Sequence, residues 1–253
     1  GTMLITAIIY LLAALPMFLF VRDRAEPCVQ EADSAVLSVF DIRTSWRRVR
    51  DFIDFRRLLL VGFFFNAGVF VVISLTAVYA EQVMHFETKQ TMMLFFVVNI
   101  AAALGAFLFG YLEDRIGHRR ALGLTLVGWI AVVALAVMAD SDTVFWAAAM
   151  LAGLCMGSSQ SAGRALAGAL APSHRLGEFY GLWAFATRSA AIVGPLTYGI
   201  ISWATEGNHR GALLFTGCFF VAALALLAYV DIARGVCRAR ADDASAIHAE
   251  ASS

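Results

Sequence analysis

Apolar residues run in blocks of about twenty along most of this chain, and charged residues gather in the stretches between them. Seven blocks predict helices: residues 3–21, 58–80, 91–111, 121–138, 143–163, 179–203 and 211–230. A hydrocarbon core about 30 Å thick is crossed by roughly 20 apolar residues rising about 1.5 Å each, so each block is a candidate membrane span. The connection over residues 22–57 is far longer than the others. In it Ile42, Trp46, Val49 and Ile53 recur at spacings of four, three and four, with arginines on the other side and Asp41 in an N-cap position. That period predicts an amphipathic helix, and two roles stand for it: a helix on the membrane surface, or an exposed linker. Past residue 231 the chain turns polar and rich in small residues, and we expect a disordered tail over 231–253. The pattern thus divides the chain into one span (1–21), a linker (22–57), six closely spaced spans (58–230) and a tail.

Composition supports the membrane reading. Sixty per cent of residues are hydrophobic and 15% charged, with a mean hydropathy of +0.76, against about 25% charged in a soluble domain. The formal net charge is zero, but its placement is not even. Arginines 22, 24, 43, 47, 48, 50, 56, 57, 115, 119, 120, 164, 175, 234, 238 and 240 all lie in one alternate set of connections and the tail; the other set holds only Lys89 and Arg210. By the positive-inside rule the N-terminus is expected outside and the C-terminus in the cytoplasm, with a bacterial inner membrane as the expected location. The lipid bilayer is the expected partner, and no nucleic acid is. Cys28, Cys155, Cys218 and Cys237 show neither a disulfide framework nor metal-ligand spacing, and no metal or cofactor is expected. Residue 1 is Gly, so we expect either a piece of a longer protein or a product that begins at Met3.

Two stretches carry more than hydropathy. "GYLEDRIGHRR", Gly110 to Arg120, fits G-x-L-x-D-R-x-G-x-R-R between two spans. Gly110 lets helices approach and Gly117 permits a tight turn; Asp114 offers an acceptor; Arg115, Arg119 and Arg120 place cations at the membrane surface. As simple positive-inside anchors the arginines need no motif, but two glycines and an Asp-Arg pair at fixed offsets go beyond a charge rule. The second stretch runs from Gly157 to Pro195 and holds one charge deep in a predicted span, Arg188. With a helix starting near Glu178, Arg188 lies about 15 Å in, at a cost of about 2.5–3.5 kcal/mol on insertion scales. Too deep to reach the surface, its side chain faces the bundle interior or a water-filled cavity. No Asp or Glu occurs inside the predicted spans, so a backbone carbonyl cluster, a carboxylate elsewhere or an anionic substrate must answer it; a misplaced helix boundary is the remaining explanation. Asn66, Asn99 and Gln160 are candidates for lining a substrate site with Arg188, against the alternative that they make interhelical hydrogen bonds. Gln160 and Arg164 share one helix face, and Arg164 with Glu178 forms a candidate network near the cytoplasmic end. Gly153 and Gly157 are spaced for close helix packing, and Gly194-Pro195 for a kink.

The Gly110–Arg120 stretch resembles the signature loop of the major facilitator superfamily. Gln160, Arg164, Pro172, Glu178-Phe179-Tyr180-Gly181, Arg188 and Gly194-Pro195 together resemble its vacuole-effluxer-like branch, which includes fungal vacuolar amino-acid exporters. "FFFNAGVFVVISLTAVYA" from Phe63 resembles it too, with Asn66-Ala67-Gly68 where the branch has Asn-Asp-Gly. The resemblance implies an all-α membrane protein of seven transmembrane helices: the C-terminal six-helix half of a major facilitator fold and the last helix of the N-terminal half. It implies a missing N-terminal six-helix half as partner and alternating access as mechanism. It also implies a small-molecule substrate such as amino acids, moved by efflux, and a gate built from Gly110, Asp114, Arg115, Gly117, Arg119 and Arg120. The absent carboxylate at Ala67 puts proton coupling there in doubt.

Rival readings are a seven-helix receptor and a truncated membrane protein without transport. A retinal protein needs a lysine in its last helix, whereas Lys89 is the only lysine. "GSSQS" breaks the GxSxG nucleophile pattern at its last position, and His85, His118, His174, His209 and His248 all lie in connections or the tail. We therefore do not expect an enzyme.

Overall fold

A computed structural model describes residues 2–20, 49–82, 86–139, 141–205 and 209–251. Those residues form eight α-helices and two short 3-10 turns, Val49–Asp51 and Ser173–Arg175. The helices are α1 (Thr2–Phe20), α2 (Ile53–Gln82), α3 (Thr88–Ile116), α4 (His118–Val137), α5 (Asp142–Ala169), α6 (Leu176–Ala204), α7 (His209–Ala228) and α8 (Ile232–Ala251). The chain separates into two units, Gly1–Phe40 and Asp41–Ser253. The first contains α1, a 19-residue helix with Pro16 inside it. The predicted linker helix falls mostly outside the described residues. At its described end Val49 is buried whereas Ile53 is 48% exposed, so the two do not share a buried face; Phe52 and Phe55 take the inward positions instead.

In the second unit, α3 packs on α5, α5 on α4, α4 on α7, α7 on α2 and α2 on α6. In lipid, burying one apolar helix against another gains little over leaving it among acyl chains, so contact must come from close packing. The seams show how. A Cβ at Gly105 would strike the Leu154 backbone, and one at Gly157 the Ala102 carbonyl; one at Gly153 would lie 2.6 Å from the Val98 carbonyl. These three glycines bring α3 and α5 into backbone contact, as the 153/157 spacing predicts. Between α4 and α7, Trp129 stacks on Phe220 at 5.2 Å, and the Phe220 ring lies over Gly68 of α2. Trp183 of α6 fills a slot beside Gly62 and Gly163. The helix α6 runs on through Pro195, and Gly194 meets the backbone of Ala67.

Four of the described helices contain stretches long and apolar enough to cross a membrane: Ile53–Ser74, Thr88–Ile116, His118–Val137 and Gly211–Ala228. In α1 the corresponding apolar stretch is Thr6–Pro16. Helices α5 and α6 are as long as the others, but Ser158, Ser159, Gln160 and Ser161 dilute the first and Arg188 charges the second.

The expected disordered tail is a correction. Residues from Ile232 to Ala251 form helix α8, which packs against α2 and the Ser173–Arg175 turn. Its apolar residues are few, and it is held to the bundle by contacts with residues distant in sequence.

Candidate functional site

The predicted site residues fall into three places. At the end of the bundle where α2 begins, α3 meets α4 and α5 meets α6, the Gly110–Arg120 stretch closes α3 and opens α4. Gly117 adopts φ +84°, a left-handed conformation that glycine takes without strain, and its N–H donates to the Glu113 carbonyl at 2.8 Å. Arg119 donates to the Ala228 carbonyl at 2.7 Å, satisfying an otherwise open acceptor at the end of α7. Asp114, Arg115 and Arg120 are exposed and make no hydrogen bond or ion pair among the described residues. The acceptor used inside the unit is the neighbouring Glu113, 6% exposed, whose carboxylate lies 2.6 Å from His118 Nδ1. Sequence reasoning passed over this pair, although a Glu and a His bracketing the glycine were legible as its signal. Nothing described lies within 4 Å of a Cβ built on Gly110, so the expected close approach there is not made within this unit.

The second place is the α2–α5–α6 junction. Gln160 Nε2 donates to Asn66 Oδ1 at 2.8 Å, and Asn66 Nδ2 donates to the Gly62 carbonyl at 2.8 Å. Asn66 is 2% exposed, so its amide is engaged between helices. Arg164 Nε donates back to the Gln160 carbonyl at 3.1 Å, and the Tyr180 hydroxyl donates to the Arg164 carbonyl at 3.3 Å. Glu178 does not join them. It pairs with Arg175 at 2.7 Å, and its Oε1 is buried without a hydrogen bond among the described residues. The expected Arg164–Glu178 network is therefore two separate contacts. Ala67, where the resemblance led us to look for a carboxylate, is fully buried and backs onto Gly194.

The third place is the exposed side of α6 and the cleft beside α3. Arg188 lies near the middle of α6, is exposed, and has no hydrogen bond or ion pair among the described residues. Along the same side Phe185, Ile192, Leu196 and Ile200 are 53%, 71%, 60% and 57% exposed. Asn99 lines a separate cleft of about 260 Å³ with Thr76, Phe95, Trp129 and Met156. Its Nδ2 donates to the Phe95 carbonyl at 2.8 Å. It shares no hydrogen bond with Asn66, Gln160 or Arg188 among the described residues. Among those residues no three His, Cys, Asp or Glu side chains gather as a metal site would require.

The candidate parts among the described residues are thus an unanswered guanidinium amid exposed apolar side chains, a buried amide bridge and a glycine-turned loop at one end. The chain is 25% identical over 227 residues to the Bacillus subtilis protein "Uncharacterized MFS-type transporter YxiO", covering 89% of this chain and 52% of that one. It is 25% identical over 193 residues to autophagy-related protein 22 of Cryptococcus neoformans, 70% of this chain and 34% of that one. It is 24% identical over 204 residues to the Candida glabrata protein of the same name, 76% and 37%. The chain thus spans about a third to a half of the length of these curated relatives. Residues 2–240 match the family described as "Vacuole effluxer Atg22 like", and this chain is a membrane protein that belongs to it.

Proposed function

We propose that the chain forms the C-terminal half, with one preceding helix, of a secondary transporter that moves a small solute by alternating access. The observation that carries this reading is Arg188. A charge near the middle of a membrane helix is retained where it meets a substrate, an ion pathway or a partner charge, and substrate sites of such transporters lie near the midplane between two halves. In this reading α1 and α2–α7 make seven spans, and the rest of the N-terminal six-helix half covers the exposed sides of α3 and α6. The arginine-rich end faces the cytoplasm of a bacterial inner membrane. Arg188 holds an anionic group of the substrate, with amino acids as the first class to test. Asn99 and the Asn66–Gln160 pair stand beside the path, and Asp114, Arg115 and Arg120 reach across to the other half as gate contacts.

The test is transport by the full-length gene product in proteoliposomes against a panel of labelled amino acids. Arg188→Ala should lower uptake per folded molecule at least tenfold, and Arg188→Lys should keep part of it. Unchanged transport and apparent affinity in Arg188→Ala would remove Arg188 from the pathway. A loss of folded protein with normal transport per molecule would make it a structural ion pair.

A further inference from the structure

A groove of about 280 Å³ lies between the start of α2 and the first turns of α8. Phe52, Phe55 and Leu170, all buried, form its apolar side, and Arg234 and Arg238 stand on the other. The stretches apolar enough to cross a membrane begin at Ile53 in α2 and end at Ala228 in α7. The groove therefore sits where hydrocarbon gives way to headgroups, at the arginine-rich end of the bundle. Ile53 lines it, and Ile53 and Leu60, seven residues apart on one face of α2, are both exposed. They continue the apolar side of the groove toward the hydrocarbon.

Arg234 and Arg238 are one turn apart on α8, a spacing at which like charges repel. Arg234 is answered. Asp54 accepts from its Nε at 2.7 Å and its Nη2 at 2.6 Å, and from the Asp231 N–H at 3.0 Å, so both carboxylate oxygens are taken. Asp231 in turn accepts from the Arg234 N–H at 3.1 Å. Arg238 is not answered. Its guanidinium lies over the Phe52 ring, 5.8 Å from the centroid, a contact that uses none of its five N–H donors. It is exposed and has no hydrogen bond or ion pair among the described residues. Asp51 lines the same groove and pairs with neither arginine among those residues.

We propose that this groove is a binding site for an anionic phospholipid of the leaflet at the arginine-rich end. The lipid phosphate takes the in-plane donors of Arg238, whose fork matches two phosphate oxygens. The glycerol and the first part of an acyl chain lie along Phe52, Phe55 and Ile53 and leave toward Leu60. A headgroup with net negative charge is selected over a zwitterionic one, because a choline cation would be held beside two arginines. The site does not depend on transport, so its failure leaves the transporter reading untouched.

The test is hydrogen exchange on the full-length gene product in nanodiscs of phosphatidylcholine alone or with about one part in three of phosphatidylglycerol, at one ionic strength. Amides 232–240 should be about threefold or more better protected with phosphatidylglycerol present. Arg238→Gln should remove that gain. Arg240→Gln takes the same charge from the opposite side of α8 and should keep it. Inorganic phosphate in millimolar excess over phosphatidylcholine nanodiscs should not reproduce it. Equal protection of the parent in the two lipids would overturn the proposal. So would an equal loss in both variants, which would mean diffuse attraction to a charged surface, or full protection by phosphate, which would mean a site for a soluble anion. The parent comparison decides by itself if a variant does not fold.

Discussion

At the arginine-rich end of the bundle, Arg57 and Arg119 reach the final carbonyls around the end of α7, at Tyr229 and Ala228, each at 2.7 Å. Asp54 gathers Arg234, and Glu113 meets His118. At the opposite end the closure is aromatic. Phe86 sets its edge to Phe145 at 5.8 Å and tilts over Trp146 at 6.3 Å, with Leu94, Ala139 and Ala149 completing a small cluster apart from the main core. The same problem, tying helix ends together, has two solutions. Charge-assisted bonds are directional and respond to protons and salt; packed rings respond to neither and are lost only by removing atoms. The first kind of closure answers to pH and salt, and the second does not.

Three changes would break or sharpen this contrast. The largest effect is expected from Phe86→Ala, which strips the aromatic closure of its centre and should cost about 3 kcal/mol. Its lowered thermal midpoint, read by tryptophan fluorescence in detergent, should be the same at pH 5 and pH 8 and at low and high salt. Asp54→Ala should cost less, about 2 kcal/mol, because Arg234 is 53% exposed on its side chain and water recovers part of the lost pairing. That loss should shrink in high salt and should appear first as faster hydrogen exchange in α8. The smallest effect is acid titration of Asp243. Burial raises its carboxyl, but hydrogen bonds from His174 and from the Ser173 and His174 N–H groups outweigh it and hold the group at about 2, below the ordinary 3.8. The depressed value means that its contribution is complete above about pH 4 and fades as the pH falls toward 2. α8 should therefore detach at its far end in acid before the Phe86 cluster loosens, and simultaneous loss of both would erase the distinction between the ends.

Hydropathy located the bundle helices but not their ends. The block at 58–80 became Ile53–Gln82, because Asp54, Arg56 and Arg57 end an apolar run without ending a helix. The turn at Gly117 was legible since its geometry depends on a single residue, and the α3–α5 seam because small residues one turn apart mark a helix face. Arg188 stood out since a charge in an apolar run needs no partner to be noticed. The Asn66–Gln160 bridge did not, because its halves lie 94 positions apart. Asp54 and α8 were missed for a stronger form of that reason. Their stability comes from pairs 180 and 69 positions apart, and no local pattern in a polar, alanine-rich segment reports a contact at that distance.

The glycine seam between α3 and α5 has a mechanical consequence. Where backbone rests on backbone there are no side chains to swap rotamers, so relative sliding has no soft coordinate along which to proceed. The two helices must tilt as one stiff plank, carrying Asn99 and Gln160 at a fixed separation, and any bending of the bundle has to be taken up elsewhere.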